Sequence, residues 1–425
     1  SNLQYGVFTP YLNLPALNGY YLDIKPAGGN QIVATYRADL EALDGQAIRV
    51  FASGFLGSTP GFGLFAALPN GTVVPLPFSP VARVQIVHNA PSPTVDVYAN
   101  NFPVLNDFEF LQATSFGYLP AGLPITLAVA PANSTSAAQA FYSTTATLEN
   151  GKTYLVVAAG EAGNPNAPFG LLVNDMGRER AIDPDKIELA VLHGSPDAPA
   201  VDVRSYDSGA PLVSDLAFGE FSPYLTLDPD ELIVDLTPAN TPNTIVGTWG
   251  ADLSAVPGLV GVVMATGFVG GNPGLDLVVV LPNGLVLPLA ALTRVQVIHN
   301  SPSPTVDVYL DGDRVLNDFA FRQATEVGLL PARVPLELAV APGNSTSVND
   351  AIYTLPVGGL EIGKTYVIMA AGVVGDPNTP FQLYVNADGR DRSQSAGTVD
   401  LALFHGAPDA PEVDVKVPAG TVLFD

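Results

Sequence analysis

Arg83-Val84-Gln85-Ile86-Val87-His88-Asn89-Ala90-Pro91-Ser92-Pro93-Thr94-Val95-Asp96-Val97-Tyr98 reads as an apolar run of strand length, a proline-rich break, and a second run in which polar and apolar residues alternate. The same string returns as Arg294-Val-Gln-Val-Ile-His-Asn-Ser-Pro-Ser-Pro-Thr-Val-Asp-Val-Tyr309. A second version occurs twice, as Leu189-Ala-Val-Leu-His-Gly-Ser-Pro-Asp-Ala-Pro-Ala-Val-Asp-Val203 and Leu401-Ala-Leu-Phe-His-Gly-Ala-Pro-Asp-Ala-Pro-Glu-Val-Asp-Val415. Fixed-period self-similarity of this kind marks a repeat architecture.

The chain has four histidines, His88, His193, His299 and His405, at intervals of 105, 106 and 106 residues. The repeat is therefore a module of about 106 residues, in two alternating versions, A, B, A, B. From His to Asp the step is eight residues in A (His88 to Asp96, His299 to Asp307) and nine in B (His193 to Asp202, His405 to Asp414). The fourth copy stops at Asp425, after its first strands, and the matching remainder stands at the other end of the chain. Leu3-Gln-Tyr-Gly-Val-Phe-Thr-Pro-Tyr-Leu12 aligns with Leu216-Ala-Phe-Gly-Glu-Phe-Ser-Pro-Tyr-Leu225, and the Pro-Asn-Gly turn at 69–71 with that at 282–284. The expected organisation is residues 1–80, the C-terminal part of a split B module; 81–182, A; 183–291, B; 292–396, A; and 397–425, the N-terminal strands of a B module.

Runs at Arg83–Asn89, Thr94–Asn100, Ile125–Ala130, Phe141–Leu148, Thr153–Gly160 and Phe169–Asn174 are rich in Val, Ile, Leu, Thr and Tyr and are separated by Pro, Gly and Asn clusters. About seven strands per module predict an all-β fold of tandem, immunoglobulin-like antiparallel β-sandwiches with almost no helix. Composition agrees: 39 prolines, 41 glycines and only 14% charged residues in 425, with 47% apolar residues to fill cores. Basic residues number 17 against 41 acidic, a net charge of −24, which excludes nucleic acid as a natural partner and disfavours anionic membrane. There is no cysteine, hence no disulfide framework and no thiolate chemistry. Leu253–Leu275 is uncharged but interrupted by Pro257, Pro273 and several glycines, so it predicts strands rather than a membrane span. The chain opens at Ser1 without a signal-like segment, as expected of a processed chain or a fragment.

The string His193-Gly-Ser-Pro-Asp-Ala-Pro-Ala-Val-Asp-Val203, with the Gly-Lys-Thr-Tyr strand starts at 151–154 and 363–366, resembles the bacterial and archaeal surface domain known as domain of unknown function 4397. The resemblance covers all four copies, the A copies departing by one deletion in the loop. It implies tandem β-sandwich modules in secreted or cell-surface proteins and supplies no catalytic residues.

The paired His88/Asp96, His193/Asp202, His299/Asp307 and His405/Asp414 are the sharpest candidates for chemistry. A metal site wants three or four protein ligands, and each module offers one His and no Cys. The structural alternative is favoured: an imidazole at the end of the first strand satisfies backbone groups of the proline-rich loop, with the Asp capping the same loop. Gly151-Lys152-Thr153 and Gly363-Lys364-Thr365 lack the upstream glycine of a phosphate loop and lead into strands. Asp183, Asp185, Asp388 and Asp391 do not form a calcium-loop pattern and read as solvated linker carboxylates. Asn70, Asn133 and Asn344 head Asn-x-Ser/Thr sequons, glycan acceptors where the host glycosylates. No catalytic motif and no cofactor site is present.

Two classes of function follow: an extracellular, pilus-like filament polymerised head to tail, or a surface-anchored adhesin or binding stalk that meets the cell surface or neighbouring cells. The partner expected in the first is another copy of the chain, through Leu3, Tyr5, Phe8 and Tyr11 on one side and Leu401, Leu403, Val413, Val415, Val422 and Leu423 on the other. The same geometry arises where the polypeptide is longer and covalently continuous at this point.

Overall fold

Pro, Gly and Asn clusters divide the chain into short strands, and the computed structural model describes residues 3–27, 32–56, 58–395, 397–416 and 422–424. Among these the only helical elements are three 3-10 turns of three residues, Glu41–Leu43, Ala137–Gln139 and Val348–Asp350. No helix among the described residues is long and apolar enough to cross a membrane. Leu253–Leu275 instead contains the strand Val260–Thr266.

The chain forms two compact units, one of residues 1–201, 215–231 and 252–289, the other of residues 202–214, 232–251 and 290–425. In the first, the A repeat builds two four-stranded sheets. One has the order Tyr142–Thr147, Pro124–Pro131, Val95–Ala99, Phe102–Phe108; the other Gly170–Asn174, Thr153–Ala159, Val81–His88, Gly117–Pro120. Ile86 of the second sheet packs on Val95, Val97, Phe108 and Val129 of the first, which closes a core between layers. All six expected strands are present. Phe102–Phe108 and Gly117–Pro120 are additional, and neither has a strand-like composition. The first contains Pro103, Asn106 and a bulge at Asp107 (φ 50°), and the second starts on glycine and ends on proline. The second A repeat repeats this layering around Val306, Val308, Phe319 and Val340 on one side and Val295, Tyr366 and Ile368 on the other.

Among the described strands, each complete repeat has one parallel pair: Val81–His88 with Thr153–Ala159, Ile187–His193 with Val260–Thr266, and Ala290–His299 with Thr365–Ala371. The chain leaves the first strand, builds other strands, and returns by a long connection, which permits a parallel neighbour.

The expected boundary at 182/183 falls inside the first unit, whereas that at 291/292 lies two residues from the crossing between the units at 289/290. In the first unit the B repeat supplies the sheet Leu225–Leu227, Ile187–His193, Val260–Thr266, Asp276–Val280, Val286–Pro288. In the second unit its strands Val201–Ser205, Glu231–Pro238 and Gly247–Asp252 run on into the sheet of the second A repeat. The reason is the ten-residue strand Ala290–His299: its start pairs with Thr248–Gly250, and its remainder pairs with Thr365–Ala371.

The N-terminal B segment forms Tyr20–Ile24 paired with Ala34–Ala38 and the sheet Arg49–Ser53, Gly63–Ala67, Val73–Pro75, joined by a core of Ala34, Tyr36 and Leu64. In the C-terminal segment Leu401–His405, expected as a strand, carries no pairing; among its described residues Val415–Lys416 pairs with Val422–Phe424. The equivalent Ile187–His193 takes its hydrogen bonds from Val260–Thr266 and Leu225–Leu227. The counterparts of both lie in the N-terminal segment.

Candidate assembly interface

The histidines fasten the proline-rich loops. His88 Nδ1 accepts the Ala90 N–H at 3.2 Å while Nε2 meets Pro93 O at 3.0 Å; His299 does the same with Ser301 and Pro304 at the same distances. His193 and His405 reach Pro199 O and Pro411 O, each at 2.9 Å. The extra residue of the B copies is thus absorbed inside the loop that the ring closes. His193 Nδ1 is buried without a partner. Burial holds the His88 and His299 imidazoles below the ordinary histidine pKa, against the carbonyl bond that favours the charged ring.

In the A copies the aspartates hold a bulge rather than that loop. Asp96 accepts the Asp107 N–H at 3.0 Å and the Ser134 hydroxyl at 2.6 Å. Asp307 likewise takes Asp318 N–H, the Ser345 hydroxyl and Arg314. They hold the bulge of the next strand, whose residue sits at positive φ and turns its N–H inward. Asp202 lies beside Arg204, and Asp414 is exposed.

Two kinds of joint bind successive repeats. In the first unit, the outer face of the A repeat carries Val87, Leu155 and Val157, and the B sheet covers it with Leu192, Val262, Met264 and Val278. Polar contacts fix the register. The Asn89 amide donates to Gly194 O at 2.8 Å and accepts the Thr266 hydroxyl at 2.5 Å, and Gln85 Nε2 donates to Leu281 O at 2.8 Å. The second kind of joint centres on arginine. Arg294, 2% exposed, donates to both oxygens of Asp235 at 2.7 and 2.8 Å, to Thr248 at 2.7 Å and to Asp391 at 3.0 Å. Its counterpart Arg83 pairs with Glu179 at 2.7 and 2.8 Å and lies over Tyr118, whose hydroxyl donates to Asp23 at 3.0 Å. Burial, with Asp23 beside it, pushes the Tyr118 phenol up to about 12. Both arginines begin the repeated string, but nothing in the string itself distinguishes them from solvated strand-end charges.

At the ends of the chain the same positions are open. Leu189 is 4% exposed and its counterpart Leu401 is 63%; Leu192 is 0% and Phe404 42%; Leu216 is 6% and Leu3 64%. Tyr5, Phe8, Tyr11 and Leu12 are exposed where Phe218, Phe221, Tyr224 and Leu225 are half-buried. Leu403 and Val413 are exposed and Val415 is half-buried. Val422 and Leu423 lie on a described strand, but their side chains fall outside the described residues. The C-terminal segment nevertheless starts to seat as its counterpart does: the Asn300 amide donates to Gly406 O at 2.9 Å, and Phe404 meets Tyr384 at 5.4 Å between rings. Phe404 and Asn300 make contacts that strand patterning does not single out; the alignment of Phe404 with the buried Leu192 is the signal that finds one of them.

The remaining candidates are occupied or exposed. Lys152 pairs with Asp175 and Glu149, Lys364 with Asp388, and Asp391 with Arg294 and Arg392. No cluster of three metal-ligating side chains occurs among the described residues. Asn70, Asn133 and Asn344 are all exposed.

No curated protein matches the sequence. Among solved structures, the Bacillus anthracis TIE protein shares 12% identity, with a TM-score of 0.15, over 77% of this chain and 58% of its own. The pilus adhesin SpaC from Lactobacillus rhamnosus GG shares 9%, with a TM-score of 0.14, over 75% of this chain and 45% of its own. The chain thus spans about half the length of each. The profile described as "Domain of unknown function (DUF4397)" matches residues 82–204, 187–279 and 293–416, well over half of the sequence, and the chain belongs to that family of tandemly repeated domains.

Proposed function

We propose that the protein is the structural subunit of an extracellular filament, not an enzyme, and that chains join head to tail by completing each other's split B module. One observation carries this: residues buried in the central B repeat have counterparts exposed at both ends of the chain, and the two exposed sets are the two halves of one module. An unpaired strand segment beside an open sheet edge is completed by strand addition, whose main-chain bonds supply affinity and whose alternating side chains supply specificity. The central repeat supports a register. Leu189 stands opposite Leu225 and Leu192 beside Met264, so Leu401 would stand opposite Leu12, and Phe404 beside Phe51, of the next copy. Gly219 N–H donates to His193 O at 2.8 Å, and Gly6, at φ 78° against 86° for Gly219, would donate to His405 O in the same way. Such a contact joins unlike surfaces and propagates without limit unless it closes into a ring. Three exposed sequons suit an extracellular location.

Removing residues 397–425 tests the reading. The full chain is expected to form fibres visible by electron microscopy, and residues 1–396 to stay monomeric with an unchanged β-rich circular dichroism spectrum. Fibres from the truncated chain would refute strand completion, and a full chain monomeric at every concentration would favour the stalk.

A further inference from the structure

Resting on this reading, we propose a second contact surface at each joint: the outer sheet face of the second A repeat, formed by Ile298, Val367, Met369 and Tyr384, seats the Arg49–Ser53/Gly63–Ala67/Val73–Pro75 sheet of another copy. Strand completion requires only that residues 399–405 enter the neighbour's edge. The face contact is a separate, sheet-on-sheet interface.

The first A repeat supplies the precedent within one compact unit. Its equivalent positions Val87, Leu155 and Val157 are 0, 2 and 1% exposed, because the B sheet lies on them. In the second A repeat Ile298, Val367 and Met369 are only half-buried, and Tyr384 is 45% exposed. Among the described residues, Phe404 meets this face at Tyr384. A half-open apolar sheet face of this kind marks an interaction site.

The occupant is identified by its matching face. Met264 and Val278, which cover the first A repeat, have Phe51 and Phe65 as counterparts in the N-terminal segment. Phe51 is 41% exposed and stacks on Phe65 at 5.8 Å, on the side of its sheet away from the buried Leu64 and Ala66. The polar registration sites are duplicated as well. Thr266, the hydroxyl that donates to Asn89, aligns with Ser53, and Asn89 aligns with Asn300, whose amide already holds Gly406. Gln85, which donates to Leu281 O, aligns with Gln296, and Leu281 with Leu68. The Pro282-Asn283-Gly284 turn lies so close to the A repeat that a Cβ at Gly284 would fall 2.8 Å from Ala113 O, and Pro69-Asn70-Gly71 keeps a glycine at that place with the same positive φ. The partner is therefore a second copy of this chain in the register of the internal joint: Ser53 on Asn300, Leu68 on Gln296, and Phe51 over Met369.

The native chain has no cysteine, so cross-linking is clean. Full-length Ser53→Cys and Asn300→Cys chains are mixed and treated with a short bismaleimide, and Leu12→Cys and Leu401→Cys chains are treated in parallel to report strand completion. Linked dimers from both mixtures, and from neither after denaturation, are expected. Linkage of 12 to 401 without 53 to 300 overturns the face contact and leaves strand completion standing. Linkage of 53 to 300 alone keeps the face and overturns strand completion, and linkage of neither overturns both. As a second measurement, Met369→Asp, at a half-exposed position that tolerates charge in the isolated chain, should weaken sedimentation-monitored assembly by about tenfold or more, as loss of a central interface residue does; unchanged assembly would count against the face.

Discussion

His88 and His299 each hold one tautomer. A backbone N–H donates to Nδ1, so the ring proton sits on Nε2 and points at a proline carbonyl. Burial lowers the pKa of both, and a proton added at Nδ1 would also face the N–H it now accepts. A histidine titrating below its unfolded value of about 6.5 stabilises the fold fully above that pH and loses the contribution as pH falls through the folded value. Melting temperature should accordingly drop between pH 7 and pH 5, and the double variant His88→Gln, His299→Gln should be less stable at pH 7 with a shallower pH dependence; parallel curves would argue against these rings as the cause. Arg294 gives a second test at this scale. Asp235→Ala leaves a buried guanidinium without its main counter-charge and should cost about 3–5 kcal/mol. Trp249, the one tryptophan and 0% exposed, adjoins Thr248 on the same strand, so denaturation followed by its fluorescence reads that loss directly.

Single strands behave differently in the central B repeat and in the C-terminal segment although their sequences agree. Leu189-Ala-Val-Leu-His193 and Leu401-Ala-Leu-Phe-His405 have the same apolar pattern, yet only the first is a strand. A strand needs partners for its backbone groups, and β propensity expresses packing on neighbours more than intrinsic preference. Leu403→Asp should leave the spectrum of the isolated chain unchanged, because Leu403 is 50% exposed there, and should suppress fibre formation, because its counterpart Val191 is only 8% exposed. Light scattering during assembly distinguishes the outcomes, and normal fibre growth by Leu403→Asp would exclude this segment from the joint.

For the whole molecule, the proposed strand completion would make stability a property of the assembly. Repeats contribute intrinsic terms and neighbour interfaces, and an interface made between chains adds stability in proportion to the logarithm of concentration. The melting temperature of the full chain should rise with protein concentration, whereas that of residues 1–396 should not. The proline-rich loops also restrict the unfolded chain, each suitable proline contributing about 0.4–1 kcal/mol. The assembled protein should therefore melt above the roughly 45–65 °C usual for mesophilic domains without any disulfide, as calorimetry across a dilution series would measure.

Much of this protein is written locally. Strand positions, the A and B alternation, the one-residue difference in the His–Asp loop and the match of both end segments to parts of a B repeat are visible in the sequence, because alternation, turn residues and repetition are features of the chain itself. The His–Pro carbonyl bond belongs to the same class: it forms even at His405, where the ring is exposed. Other features are absent from any local pattern. That Ala290–His299 carries one sheet across a module boundary, that Arg294 is buried in a carboxylate network while opening an ordinary strand, and that Asp96 serves a bulge instead of its neighbouring loop depend on residues far away in the chain. Gln85 meets Leu281 only after two sheets stack, and Arg294 meets Asp235 only when their strands join one sheet across Gly247–Asp252. Burial and hydrogen-bond partnership are properties of what lies opposite a residue, and tertiary structure alone places it there.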